Sequence, residues 1–198
     1  GEKYMKIAKV LATVAAVAAL GMFVSCGSDG AAAASAESSS APATPRPAEA
    51  SEVPTYKYEG GTLKIQIEET YLDNYLVFED KKADNGWSTK MLDDTATATF
   101  KVVFPAGKYE GLVNEDAPDG NHDAFNVLMT VGDKTTGFRC FPSDPPIGTY
   151  ELTTRTPMNI VFDADTEATF VIQQHDPAKP NKPGESGMKL DFIQFTAK

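Results

Sequence analysis

Between Thr99 and Val113 the chain alternates apolar and polar side chains. Phe100, Val102 and Phe104 fall on one side, Thr99 and Lys101 on the other, the period of a half-buried strand. Pro105 fixes φ at the second position of a tight turn, and Gly107 supplies the fourth position or an αL bulge residue. Tyr109, Gly111 and Val113 resume the alternation, so the stretch predicts a β-hairpin. The same pattern flanks it. Leu63, Ile65 and Ile67 alternate within Leu63–Glu68, Tyr75–Phe78 is a short apolar run, and Phe125, Val127, Met129 and Val131 alternate again. Gly132-Asp133 turns the chain into Thr136–Phe141, and Tyr150–Thr154, Met158–Phe162, Glu167–Gln174 and Leu190–Phe195 follow. Asp84–Trp87, Asn114–Asp123, Pro142–Gly148 and His175–Gly187 read as loops, from their turn-forming residues. These are about ten short strands with no apolar stripe of helical period beyond the first thirty residues. The pattern predicts an all-β fold, a jelly-roll β-sandwich of two antiparallel sheets.

The first quarter of the chain reads differently. Met5, the expected start, is followed by Lys6 and Lys9 and an apolar run from Val10 to Val24, the layout of a secretory signal peptide over residues 1–25. The run ends in Phe23-Val24-Ser25-Cys26-Gly27. That ending resembles the lipobox of bacterial lipoproteins, and the resemblance implies diacylation of Cys26, which becomes the new N-terminus. The run is short and alanine-rich for a membrane span. Residues 26–55 are dominated by Ala, Ser and Pro with almost no large apolar side chains. Such a segment buries too little to offset its ordering entropy and is expected to be a disordered tether. The division is then signal peptide, lipid-anchored linker and one folded domain over 56–198.

Net charge is −10, and from Tyr56 onward 14 basic and 23 acidic residues leave −9. With no basic patch, nucleic acid is excluded as a partner. Cys26 and Cys140 are too few for a disulfide framework; Cys140, in an apolar strand, is expected to be a buried thiol. His122 and His175 are the only histidines and both stand in loops. No nucleophile triad, zinc cluster or phosphate-binding glycine loop is present. Glu68/Glu69 and Asp93/Asp94 are adjacent carboxylates that point to opposite faces of a strand and so cannot flank one glycosidic bond. The domain reads as non-catalytic. Asp119-Gly-Asn-His-Asp123 has alternating oxygens but lacks the glycine and glutamate of an EF-hand.

Ile65-Gln-Ile-Glu68, Pro105-Ala-Gly-Lys-Tyr109, Phe125–Gly132 and Leu190-Asp-Phe-Ile193 resemble, in order and spacing, the opening strand, central turn, next strand and closing strand of carbohydrate-binding modules of families 6 and 35. The resemblance spans nearly all of residues 60–198 and implies a galactose-binding-like β-sandwich that binds sugar without cleaving it. It further implies a structural calcium ion joining the first and last strands, held by Gln66, Glu68 and Asp191. By the same resemblance Trp87 and Tyr150 are the two loop aromatics that clamp a sugar ring. Lys189 stands where these families usually carry asparagine, which would suit an acidic sugar. A monomeric lipoprotein of the cell envelope that binds carbohydrate is the expected reading. A surface lipoprotein of the same fold with a structural or protein-interaction role is the alternative.

Overall fold

In the computed structural model the described residues are 45–120, 124–141, 147–174 and 187–198. Cys26, the signal segment, His122 and His175 lie outside them. The strands are β1 (Thr55–Lys57), β2 (Thr62–Gln66), β3 (Tyr71–Asp73), β4 (Tyr75–Glu79), β5 (Trp87–Met91), β6 (Thr97–Phe104) and β7 (Gly107–Asp116). They continue with β8 (Phe125–Val131), β9 (Lys134–Cys140), β10 (Glu151–Leu152), β11 (Met158–Phe162), β12 (Thr166–Gln173) and β13 (Lys189–Ala197). Two sheets result. One runs β1-β6-β12-β8-β9, with β3 sharing the β1 edge of β6; the other runs β10-β7-β13-β5-β4, with β11 also on β7 and β2 also on β13. All ladders are antiparallel except β1 on β6, which is parallel. The domain is an all-β sandwich, as the alternation predicts.

The core lies between the sheets. Ala98, Phe100, Val102 and Phe104 of β6 and Ala168, Phe170 and Ile172 of β12 are fully buried from one side; Val113 of β7 and Ile193 and Phe195 of β13 are fully buried from the other. Phe100 stacks on Phe170 at 5.3 Å, and Phe104 meets Phe195 across the sheets at 5.2 Å, nearly edge to face. Gly111 is set by this packing: a Cβ there would lie 2.7 Å from Met158 Cε and 3.0 Å from Phe195 Cε1.

One expectation is overturned. β6 and β7 do not form a hairpin, because they belong to different sheets. Both strands carry apolar residues on the inward side, and facing them across the core buries both sets, which pairing them edge to edge would not. Pro105 lacks a donor to continue a ladder. The corner is held instead by Tyr109, whose hydroxyl donates to the Pro105 carbonyl at 2.8 Å, and by the Ala106 N–H on Asp165 Oδ1 at 3.1 Å. Gly107 does not have positive φ. It makes room: a Cβ would meet the Tyr109 phenol oxygen at 3.2 Å.

The opening strand also stops early. β2 ends at Gln66, and a 3₁₀ turn over Ile67–Glu69 follows. Continued alternation would have sent Glu68 outward with Lys64 and Gln66; the turn instead buries it. Of the proline-rich segment, its described end is anchored, with the Pro54 carbonyl accepting from the Lys101 N–H at 2.9 Å.

Candidate functional site

Gln66 at the end of β2, Glu68 in the turn after it and Asp191 on β13 come together, the three residues expected to hold a metal. β2 lies beside β13, with Gln66 opposite Phe192. A two-residue stretch of the β4–β5 loop touches all three. The Asp84 carboxylate accepts from Gln66 Nε2 at 3.1 Å, the Asp84 N–H donates to Asp191 Oδ2 at 3.0 Å, and Asn85 Nδ2 donates to Glu68 Oε1 at 2.7 Å. Asn114 of β7 gives Asp191 Oδ2 a second donor at 2.8 Å. Each head group is thus oriented through one atom. The other atom of each, Gln66 Oε1, Glu68 Oε2 and Asp191 Oδ1, is buried with no hydrogen-bond partner.

Three such oxygens are a costly arrangement, since a buried acceptor without a partner forfeits its hydration. Burial pushes the Glu68 carboxyl up to about 7, with the Asp191 charge adding to the rise against the opposing Asn85 bond. Burial likewise pushes Asp191 up to about 6, opposed by its bonds from Asp84 and Asn114. Among the described residues no group of three His, Cys, Asp or Glu side chains is arranged for a metal; this set has two carboxylates and an amide. All are hard oxygen donors, which suit calcium.

A second cluster adjoins it at the same end of the seven-stranded sheet. Tyr150, just before β10, is half-buried. Its hydroxyl lies 3.0 Å from Asp80 Oδ2 and 2.7 Å from Ser88 Oγ. One phenol proton cannot serve both, and Asp80 as a carboxylate can only accept, so the Tyr150 proton belongs to Asp80. With that proton committed, the 2.7 Å contact to Ser88 takes the serine's own proton, in competition with the Leu190 carbonyl 3.0 Å from Ser88 Oγ. Burial first, then the bond to Asp80 and the charges of Asp80 and Asp191, hold the Tyr150 hydroxyl well above the ordinary phenol value. The ring is fixed in place.

Lys189 stands opposite Asp116 on β7 and Lys90 on β5. Its ammonium is not a lone cation: it lies 2.7 Å from Asp116 Oδ2, a side chain only 2% exposed. The other Asp116 oxygen accepts from the Gly148 N–H at 2.7 Å, and Lys82 Nζ donates to the Gly148 carbonyl.

Trp87 is placed otherwise than expected. It opens strand β5 rather than sitting in a loop, and it is 6% exposed. Alternation sets it on the inward side of β5 with Thr89 and Met91, while Ser88, which Tyr150 touches, points the other way. Trp87 and Tyr150 therefore do not form two walls of one open cleft. Asp80, Asp84, Asn85, Asn114 and Asp116 were not singled out from the sequence as site residues. In Asp84-Asn85-Gly86 the visible signal was turn chemistry, which says nothing of what the side chains reach.

No protein-family model matches the chain, and no curated relative is found by sequence. Solved structures do match. A family 35 carbohydrate-binding module from Clostridium thermocellum superposes with a TM-score of 0.50 at 9% identity, over 70% of this chain and 100% of that one. A GH26-CBM35 β-(1,4)-mannanase from Podospora anserina gives 0.50 at 10% identity over 71% of this chain and 28% of its own. An isomalto-dextranase from Arthrobacter globiformis complexed with panose gives 0.52 at 15% identity, over 68% and 23%. The chain thus spans less than a third of these enzymes but the whole of the free-standing module. The fold is that of a carbohydrate-binding module.

Proposed function

We propose that this domain is a non-catalytic carbohydrate-binding module that uses Tyr150 as its stacking ring and is stabilised by calcium at Gln66, Glu68 and Asp191. The observation that carries the metal is the set of three buried oxygens without partners, each belonging to a side chain whose other atom is already fixed. Calcium takes six to eight oxygens, so backbone carbonyls or water would complete its shell. An aromatic face stacks on the C–H face of a pyranose, and a ring that is already held loses little entropy on binding. Lys189 keeps donors to spare for sugar hydroxyls. Because Asp116 already pairs with its charge, we assign neutral rather than acidic sugars to the site.

The lipid anchor belongs to the same proposal: Cys26 acylated, the domain carried on its tether at the cell envelope. Cys26→Ala should shift the protein from detergent to aqueous phase on partitioning. Retention of both forms in detergent would replace the lipid with an uncleaved helix.

One observation favours a second reading, a surface lipoprotein of this fold without a sugar site. It is the burial of Trp87, which leaves one ring where two were expected. Calorimetric titration of neutral and uronic oligosaccharides into wild type and Tyr150→Ala separates the two. Binding of neutral sugars that is lost in Tyr150→Ala and insensitive to salt supports the module; no binding across the panel supports the second reading.

A further inference from the structure

The β4–β5 loop, Asp80–Gly86, takes part in both clusters. At its far end Asp84 and Asn85 supply the donors to Asp191 and Glu68 and the acceptor for Gln66. At its near end Asp80 accepts a hydrogen bond from the Tyr150 hydroxyl and Lys82 donates to the Gly148 carbonyl. The loop is itself closed: the Asp80 N–H donates to the Gly86 carbonyl and the Ala83 N–H to the Asp80 carbonyl, each at 3.0 Å, and Asp80 Oδ1 caps the Lys82 N–H at 3.0 Å. Its two ends therefore cannot shift independently.

We propose that Asp80 and Lys82 are positioning residues, through which metal binding at Gln66, Glu68 and Asp191 orders the segment from Gly148 to Tyr150. The inference rests on the calcium reading above and goes beyond it, because it links the metal to the ligand edge. The physical route is short. An ion that draws in Gln66 Oε1, Glu68 Oε2 and Asp191 Oδ1 fixes the partner atoms of the same head groups, and these hold Asp84 and Asn85. A loop fixed there presents Asp80 and Lys82 in one place. Tyr150 and Gly148 then have stationary partners, and the ring is preorganised before any sugar arrives. Coupling is reciprocal, so a ligand on Tyr150 must tighten calcium by the same factor.

The Gly148 amide reports on this directly, because its N–H is bonded to Asp116 and exchanges only when the segment opens. Hydrogen exchange by NMR is followed with calcium chloride and with chelator, alongside thermal melts. In wild type, calcium should raise the melting temperature and slow Gly148 exchange beyond the global effect by about tenfold, an ordinary coupling factor. In Tyr150→Phe/Lys82→Met the ties between the loops are cut while Asp84 and Asn85 remain. Calcium should still raise the melting temperature there, and the extra slowing at Gly148 should vanish. Stabilisation by calcium with no extra slowing in wild type overturns the coupling and leaves the calcium reading standing. No stabilisation in wild type overturns both.

Discussion

Lys189 and Asp116 face each other across the β13–β7 ladder with Nζ 2.7 Å from Oδ2, and the Asp116 side chain is 2% exposed while that of Lys189 is 31% exposed. The lysine serves to neutralise a carboxylate that the fold has buried, and only its outward donors remain for a ligand.

Removing it tests this. Lys189→Met keeps the aliphatic stem and deletes the charge, leaving Asp116 with the Gly148 N–H alone. Breaking a fully buried pair costs about 3–5 kcal/mol, and the partial exposure of Lys189 reduces this to about 2 kcal/mol. Adding Asp116→Asn to Lys189→Met should recover most of the loss. Urea midpoints of both variants decide it, and equal destabilisation in the two would locate the cost in packing instead of charge.

Trp87 gives the second prediction. At 6% exposure it is a structural residue, so Trp87→Ala should cost about 3–5 kcal/mol as a large-to-small core change. As the only tryptophan, it reports cleanly. Acrylamide should quench it weakly until the protein unfolds, and saturating sugar should leave its emission unchanged. A spectral shift on adding sugar would return the ring to the binding site.

The sequence shows side-chain period well and long-range partners poorly, and the differences here follow from that. Alternation in Thr99–Phe104 and Tyr109–Val113 reveals which residues turn inward. It does not reveal whether the two strands meet along a ladder or across a core, and the core arrangement won because it buries Phe104 against Phe195. The convergence of Gln66, Glu68 and Asp191 was legible because the resemblance fixed these three by position. Its orientation was not, because Asp84, Asn85 and Asn114 act from loops and a neighbouring strand. Trp87 follows a turn-rich stretch, Asp84-Asn85-Gly86, and nothing local marks the point where the strand begins.

Cys140 supplies the third prediction. It is fully buried, and burial pushes its thiol up to about 12, with Glu115 adding. Thiolate is therefore scarce near pH 8, and in a Cys26→Ala background a disulfide reagent should react only as urea unfolds the domain. The folded value lies above the unfolded one of about 8.5. The contribution to stability is complete below that value and is lost as pH rises through about 12. Rapid labelling of the native protein would show that β9 opens without global unfolding.

The fourth prediction concerns the proposed calcium ion and the carboxylates of Glu68 and Asp191. At a hundredfold excess over its dissociation constant, calcium should add about 2.7 kcal/mol. Glu68→Gln and Asp191→Asn should each abolish most of that gain. With chelator present the sign of the pH dependence is set by the raised values, about 7 for Glu68 and about 6 for Asp191. Both groups are most stable protonated in the fold, so their contribution is complete below the unfolded carboxyl values of about 4 and is lost as pH rises to about 7. Metal-free protein should therefore weaken across that interval. Calcium needs the ionised form, so its own stabilisation should grow over the same interval and offset the loss. Melting curves between pH 4 and 8, with calcium and with chelator, should then converge at the acid end and separate at the neutral end. Curves that run parallel, or that separate at the acid end, would mean that these oxygens do not meet a metal.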